Sequence, residues 1–182
     1  MPSCAWTANG GKSARADAGQ DREMAGSRPQ GLYPILFGVA AAVAGLDQLT
    51  KELALEGLAD GPTDVLWGAV TLQVTYNSGG AFGVLQGIPG FFLVATVVVV
   101  AVIVVWARQL DERAWAVPLG LVLGGGVGNL IDRIFRDPGG RVVDFIDLHW
   151  WPVFNLADAS IVVGVGVVLL VGVLERRPRA EV

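Results

Sequence analysis

The chain is poor in charge: Asp, Glu, Lys and Arg make up 16% of its 182 residues, whereas a soluble domain carries about a quarter. The charges are also unevenly placed. No charged residue and no histidine occurs in 29–46, 65–107, 114–131 or 159–174. Because a membrane span needs about 20 mostly apolar residues, we predict an all-α membrane protein with four transmembrane helices. These spans are expected at about 32–50, 89–108, 114–134 and 157–174.

Other absences narrow the chemistry. Cys4 is the only cysteine, which excludes an internal disulfide, and His149 is the only histidine. The sequence contains no His/Cys/Glu cluster with metal-ligand spacing and no phosphate-binding glycine loop. We therefore expect no metal and no nucleotide cofactor. A net charge of −4 without a basic face argues against a nucleic-acid partner.

Lysine and arginine are distributed unequally across the predicted helices. Nine of the thirteen fall on the side that carries both termini, which the positive-inside rule assigns to the cytoplasm. The connections 51–88 and 135–156 then lie outside, and 65–76 has the β-branched and aromatic composition of strands. We predict a small extracytoplasmic β-like segment there. The predicted domains are a disordered cytoplasmic tail 1–30, a transmembrane domain 31–175 and a cytoplasmic tail 176–182.

Two aspartates stand where such a chain should have the fewest charges. Asp144 lies in Val-Val-Asp-Phe and Asp158 in Phe-Asn-Leu-Ala-Asp, both at the same predicted membrane face. A carboxylate at the membrane boundary is costly and marks a candidate functional site, and two carboxylates that share a proton can activate water. Taken singly, Asp144 also fits a loop, and Asp158 the first turn of a helix capped by Asn155. A fold-back of 146–152 would bring the two together.

Further polar residues border the same face. Asp47 and Lys51 are four residues apart and can pair on one side of a helix, although an ordinary salt-bridged helix end explains them as well. Asn77 lies in a glycine-rich turn and offers a donor and an acceptor to an extended peptide. The alternative for Asn77 is a simple loop.

The third predicted helix combines glycines with a polar end. Gly120, Gly124 and Gly128 recur at the four-residue spacing that lets membrane helices pack closely. Asn129, Asp132 and Arg133 then cluster on one side of the helix near its outer end. Either a functional site or a structural ion-pair network accounts for this cluster.

Five strings, in this order, resemble the lipoprotein signal peptidase (signal peptidase II) family over about residues 33–174. They are Asp-Gln-Leu-Thr-Lys (47–51), Asn-Ser-Gly-Gly-Ala-Phe-Gly (77–83), Gly-Asn-Leu-Ile-Asp-Arg (128–133), Val-Val-Asp-Phe (142–145) and Phe-Asn-Leu-Ala-Asp (154–158). Gly80 departs from the family, which more often has alanine there. The resemblance implies an intramembrane aspartic endopeptidase of the bacterial cytoplasmic membrane that works without a cofactor.

The same resemblance implies substrates and residue roles. The substrates would be prolipoproteins, cut just before a diacylglyceryl-modified cysteine, and membrane lipids would be the other partners. Asp144 and Asp158 match the catalytic pair. The residues that match positions ordering the site or contacting substrate are Asp47, Lys51, Asn77, Asn129, Arg133 and Asn155.

Electrostatics predicts how such a pair would act. Two close carboxylates in a partly dry site do not both ionise, so one keeps a proton while the other deprotonates water. The outer segment 57–88 is expected to clamp the peptide above them. The alternatives are a small proton-coupled transporter or channel and a glycine-packed scaffold without chemistry. Clustering of the acids at one face argues against a proton path across the membrane.

Overall fold

The structure is a computed structural model, and it describes residues 32–79, 90–106 and 113–175. The predicted tails 1–30 and 176–182 lie outside the described residues. So do 80–89, in the second half of the predicted clamp, and 107–112, where the second predicted span ends.

Four α-helices account for most of the described chain: α1 Leu32–Gly57, α2 Phe91–Trp106, α3 Ala116–Ile131 and α4 Leu156–Glu175. A 3₁₀ turn, Arg113–Trp115, precedes α3, and a π-helical turn, Asp132–Arg136, follows it. The segments Leu32–Gly57, Arg113–Arg136 and Leu156–Val173 are long and apolar enough to cross a membrane, whereas α2 is apolar but shorter. The chain is therefore a mostly helical, multi-pass membrane protein.

The first helix runs seven residues beyond its predicted end at 50 and stops at Gly57. The prediction ended the span at Asp-Gln-Leu-Thr-Lys (47–51), where charged residues follow the first long uncharged stretch. Lys51 does not end it because its side chain is fully buried among partners of opposite charge. The next residues, Glu52 to Glu56, are good helix formers, so nothing in this stretch breaks the helix.

The third helix lies between α1 and α4 and packs closely against both. A Cβ on Gly124 would come within 2.6 Å of the Ala40 carbonyl oxygen on α1, and a Cβ on Gly125 would collide with the Ala157 carbonyl oxygen on α4. Gly120 faces the Leu36 carbonyl oxygen on α1 in the same way, whereas Gly128 faces the Asp47 side chain. The predicted role of the glycine row in helix packing is thus confirmed, and Leu36, Leu119 and Leu123 form part of the apolar core around it.

A three-stranded antiparallel sheet lies in the two connections predicted to be outside. Its strands are β1 Thr63–Val65, β2 Val70–Asn77 and β3 Val142–Asp147, in that order. The strand-like segment of the first connection is confirmed, whereas β3 was not predicted. The register places Thr75 opposite Asp144 and Asn77 opposite Val142. Asn77 and Asp144, 67 residues apart in the chain, are thereby brought together.

The segment after β3 folds back on it, as the sequence predicts. The amides of Phe145 and Ile146 donate to the Phe154 carbonyl oxygen, and the Phe154 amide donates to that of Ile146. This bridge turns the chain so that α4 begins beside β3. Asp144 in β3 and Asp158 in α4 therefore face a common site.

Candidate active site

One connected network joins the eight residues that the sequence assigned to the site, seven of them through their side chains and Arg133 through the Asn129 carbonyl oxygen. They come from the second half of α1, the end of β2, the end of α3 and the turn after it, the middle of β3 and the start of α4. The members are Asp47, Lys51, Asn77, Asn129, Arg133, Asp144, Asn155 and Asp158.

Asp144 is buried, with 1% of its surface exposed. Its Oδ2 accepts a hydrogen bond from Asn77 Nδ2 at 2.8 Å, and its Oδ1 accepts one from Asn155 Nδ2 at 2.7 Å. Burial, reinforced by the nearby charge of Asp158, raises the pKa of Asp144 to about 7, while the two amide donors oppose the shift. A carboxyl group in this setting can hold a proton near neutral pH.

Asp158 occupies the first turn of α4 and takes part in capping the helix. The Asp158 amide donates to Asn155 Oδ1 at 2.9 Å, and the Asn155 amide donates back to Asp158 Oδ2 at 3.3 Å. This is the reciprocal arrangement of a capping box. The structural interpretation of Asp158 is therefore correct as geometry. The other oxygen, Asp158 Oδ1, accepts a hydrogen bond from Asn129 Nδ2 at 2.8 Å and so joins Asp158 to the network.

Asn129 and Asn155 connect the two aspartates. Asn155 Nδ2 lies 2.7 Å from Asp144 Oδ1 and 3.1 Å from Asn129 Oδ1. Asn129 Oδ1 also accepts from Lys51 Nζ at 3.1 Å. Since an ammonium group only donates, it fixes the oxygen of the Asn129 amide on its own side and turns Nδ2 toward Asp158. The side-chain amides of Asn129 and Asn155 thus donate hydrogen bonds to the two carboxylates without adding charge.

A second, deeper cluster lies next to this pair. Lys51 Nζ is 2.7 Å from Asp47 Oδ2 and 2.8 Å from Asp132 Oδ2, and all three side chains are fully buried. Asp47 Oδ1 accepts from the Ala157 amide at 2.9 Å, and Asp132 Oδ2 accepts from the Val143 amide at 3.1 Å. The cluster therefore ties α1 to the start of α4 and the end of α3 to β3. The predicted pairing of Asp47 with Lys51 is confirmed.

Asp132 and Gln48 also belong to this deeper cluster. The sequence grouped Asp132 with Asn129 and Arg133 but gave it no role in the site, and it did not single out Gln48. Gln48 Nε2 donates to Asp132 Oδ1 at 3.0 Å, and Arg136 Nε donates to the same oxygen at 3.1 Å. The four-residue spacing of Asp132 and Arg136 was the available signal. Nothing local in the sequence links either residue to Gln48, which is more than eighty positions away.

Arg133 lies beside the two aspartates but binds neither directly. Its Nη1 makes a long contact of 3.4 Å with the Asn129 carbonyl oxygen. Its Nε is buried and has no hydrogen-bond partner among the described residues. A buried N–H donor without a partner is costly. The Arg133 Nε is therefore a candidate to donate a hydrogen bond to a bound molecule.

His149 lies away from the pair, at the far end of β3. Its Nε2 is 3.2 Å from the Gly68 carbonyl oxygen and 3.4 Å from Thr71 Oγ1, and its amide donates to Asp147 Oδ1. In 32–79, 90–106 and 113–175, no three His, Cys, Asp or Glu side chains are grouped as metal ligands would be.

Known proteins share both the sequence pattern and the fold of this chain. Residues 39–174 match the family model described as signal peptidase (SPase) II. A lipoprotein signal peptidase of Mycobacterium avium is 46% identical over 143 residues, which is 75% of this chain and 78% of that protein. A lipoprotein signal peptidase of Mycobacterium tuberculosis is 42% identical over 154 residues, which is 81% of this chain and 75% of that protein.

Two solved structures share the fold of this chain. A bacterial membrane enzyme superposes with a TM-score of 0.73 at 27% identity, covering 81% of this chain and 92% of that one. A second solved bacterial membrane enzyme gives a TM-score of 0.64 at 28% identity, covering 75% and 90%.

Proposed function

Since this chain belongs to the signal peptidase II family and removes signal peptides from prolipoproteins, we infer that Asp144 and Asp158 are its catalytic pair. The observation that carries this inference is a buried carboxyl group, Asp144, whose pKa is raised to about 7 beside a second carboxylate. No salt bridge within the described part of the chain neutralises either of them. Such a pair is able to share one proton.

The more deeply buried Asp144 holds that proton at rest, and Asp158 acts as the base. Asp158 removes a proton from a water molecule, whose oxygen attacks the scissile carbonyl carbon while Asp144 gives its proton to the carbonyl oxygen. Asp158 then passes the proton it gained to the leaving nitrogen as the C–N bond breaks. Asp144 recovers a proton from the collapsing diol. Both groups return to their starting states, so the cycle needs no metal or other cofactor.

The neighbouring polar groups prepare the site for this cycle. Asn77, Asn129 and Asn155 hold the carboxylates in place from neutral donors. Arg133 uses its unpartnered Nε to bind a carbonyl oxygen of the substrate backbone. Asp47 and Lys51 stabilise this arrangement indirectly: Asp47 fixes the start of α4, and Lys51 fixes the side-chain amide of Asn129.

The substrate proposed for this site is a prolipoprotein whose cysteine carries a diacylglyceryl group, cut on the N-terminal side of that cysteine. The lipid chains remain among the apolar groups of the membrane, and the peptide lies over the aspartates. The segment 57–88 clamps the peptide from the outer side. Its described part includes β1 and β2, and β2 supplies Asn77 to Asp144.

Four spans, with both termini in the cytoplasm, complete the proposal. The sixteen residues of α2 cover about 24 Å of a hydrocarbon core of about 30 Å, and the uncharged sequence continues through Ala107. The lysine and arginine asymmetry supports a position of the sheet and the active site at the extracytoplasmic face of the bacterial cytoplasmic membrane. The proposed peptidase domain is 31–175, between the segments 1–30 and 176–182, which we assign to the cytoplasmic side.

The test is cleavage of a diacylglyceryl-modified prolipoprotein by the purified protein in detergent, read as a mobility shift. Asp144→Asn and Asp158→Asn should each lower the rate about a thousandfold or more, while eluting as single species. Asp147→Asn is the matched control, because Asp147 lies on the same strand and contacts Gln73 and His149, outside the network. A near wild-type rate in either catalytic variant would sink the assignment. Cleavage without any ion gradient also separates the peptidase from a proton-coupled transporter.

A further inference from the structure

An apolar groove of about 340 Å³ opens beside the Asp158 carboxylate. One side comes from the first turns of α4, with Ala159 and Val162, and the other from the segment leading into α4, with Trp150, Trp151 and Phe154. Asp158 is the only charged residue among those that line it. The groove therefore joins a hydrocarbon-like space directly to one of the proposed catalytic groups.

We propose that this groove holds an acyl chain of the substrate's lipid-modified cysteine and so sets the position of that cysteine against Asp158. This inference rests on the proposed function. It adds a specificity-determining subsite, formed by the 148–154 segment and the outer end of α4.

The chemistry of the lining favours an acyl chain over a segment of the signal peptide. Each residue of a bound peptide brings an N–H and a carbonyl group that require partners away from water. Apart from Asp158, the side chains that line the groove are hydrocarbon or indole. An acyl chain asks for no hydrogen bonds, so it fits this lining without leaving polar groups unpaired.

The position and size of the groove agree with this occupant. The scissile bond immediately precedes the cysteine, and the lipid is attached through its sulfur, so only the cysteine and one glyceryl unit separate the acyl chains from the carbonyl group under attack. At roughly 30 Å³ for a group the size of a water molecule, the groove accommodates about eleven methylene-sized groups. It thus has room for much of one chain, starting at the catalytic carboxylate.

The groove is open toward the side from which a lipid chain would arrive. Val162 is 65% exposed and Trp150 is 78% exposed, and α4 continues with further exposed apolar residues such as Leu169. A chain can therefore slide in along α4 without crossing water. Because it leaves an apolar phase for another one, its gain is in packing and positioning and not in hydrophobic transfer.

The test compares kcat/KM for two prolipoprotein substrates that differ only in their lipid, with two palmitoyl or two butyryl chains. Val162→Trp fills the groove and should lower the palmitoyl-to-butyryl ratio about tenfold, because the long chain loses its fixed position. Leu169→Trp is the matched control: it adds the same side chain on the same helix at a comparably exposed position outside the groove, and should leave the ratio at its wild-type value. Equal ratios in the two variants would overturn the proposal.

A second measurement reads binding without turnover. A palmitoyl substrate carrying a photoreactive group in mid-chain is cross-linked to Asp144→Asn, which leaves the substrate uncut. Adducts confined to 148–154 and 159–163 support the groove. Adducts elsewhere on the chain, or equal labelling of the groove by a photoreactive phospholipid in the presence of substrate, would show another occupant and overturn it. If the wild type cuts neither substrate, the proposed function itself fails, and the groove assignment falls with it.

Discussion

Two pairs of aspartates lie next to each other in this molecule, and their partners differ in kind. Asp47 and Asp132 share the Lys51 ammonium group, and Asp132 also binds Arg136. The other pair, Asp144 and Asp158, receives hydrogen bonds from asparagine amides and one backbone amide. The first set balances two acids with two bases. In the second set every direct hydrogen-bond donor is neutral, and Arg133 lies nearby without binding either acid.

This difference separates a structural use of a carboxylate from a chemical one. A charge-balanced cluster has no need of a proton, and it fixes the ends of α1, α3 and α4 relative to β3. Neutral donors orient a carboxylate without cancelling its charge, so burial keeps the pKa of Asp144 near 7 and a proton remains available for exchange. In the proposed function, the ion cluster supports the site and the amide-held pair carries out the reaction.

The largest expected effect comes from removing the shared cation of the deeper pair. Lys51→Met leaves Asp47 and Asp132 buried without it, and an uncompensated buried charge of this kind costs about 3–5 kcal/mol. The melting temperature in detergent should fall steeply, whereas Asp144→Asn should melt close to the wild type. Adding Asp47→Asn to Lys51→Met removes one of the two acids and should recover part of the loss. Equal melting of Lys51→Met and wild type would break the distinction between the pairs.

A smaller loss is expected from crowding the same cluster. A Cβ on Gly128 would lie 2.6 Å from Asp47 Oδ2, so Gly128→Ala must displace a side chain held on both oxygens. Overpacking of this kind costs about 1–3 kcal/mol, and cleavage should fall because the start of α4 shifts with Asp47. The matched control is Gly126→Ala on the same helix, where the added methyl group would meet Val100 Cγ2 at 3.3 Å. If both substitutions melt alike, the cluster is less rigidly placed than the contacts imply.

The cluster around Lys51 was more predictable from the sequence than the amide-held pair, but only for its contacts between residues close in sequence. The spacing of Asp47 and Lys51 and the glycine row of α3 follow from helix periodicity alone, and the structure confirms both. The extension of α1 to Gly57 did not follow, because it depends on partners that reach Lys51 from another helix. Local rules report which face a side chain occupies, but not what the rest of the chain brings to that face.

The support of the amide-held pair is mostly non-local. The meeting of Asn77 and Asp144 depends on the register between β2 and β3, and the sequence gives no strong strand signal for β3. The capping arrangement of Asn155 and Asp158 was predictable, since it spans three residues. Its connection to Asn129 was not, because that contact is set by how α3 packs against α4. The motif strings identified the residues, and the strand register and helix packing determined how they meet.

A shift in pH dependence tests the amide support directly. The hydrogen bond from Asn77 lowers the pKa of Asp144, so Asn77→Ala should raise it further. In the proposed cycle Asp144 must be protonated at the start, so kcat/KM of the wild type should decline as the pH rises through about 7. In Asn77→Ala this decline should move to higher pH, with about a tenfold lower maximum.

Gln73→Ala is the control for that shift, because Gln73 makes the same kind of amide-to-carboxylate contact between β2 and β3, but with Asp147. Its alkaline limb should coincide with that of the wild type. An Asn77→Ala limb that stays in place, or moves to lower pH, would show that Asn77 does not support the ionised form of Asp144.

The smallest effect is expected at an ion pair nearer the surface. Asp137 and Arg141 make a close pair at 2.7 Å just before β3, and Arg141 is 46% exposed. The hydrogen bonds from Arg141 lower the pKa of Asp137 to about 2. Any stability from this pair is therefore present above the usual carboxyl pKa and is lost as the pH falls toward 2. Because water and salt screen such a pair, Asp137→Asn at neutral pH should leave melting temperature and cleavage rate unchanged within error. A loss comparable to that of Lys51→Met would mean that pairing, and not burial, makes the deeper cluster important.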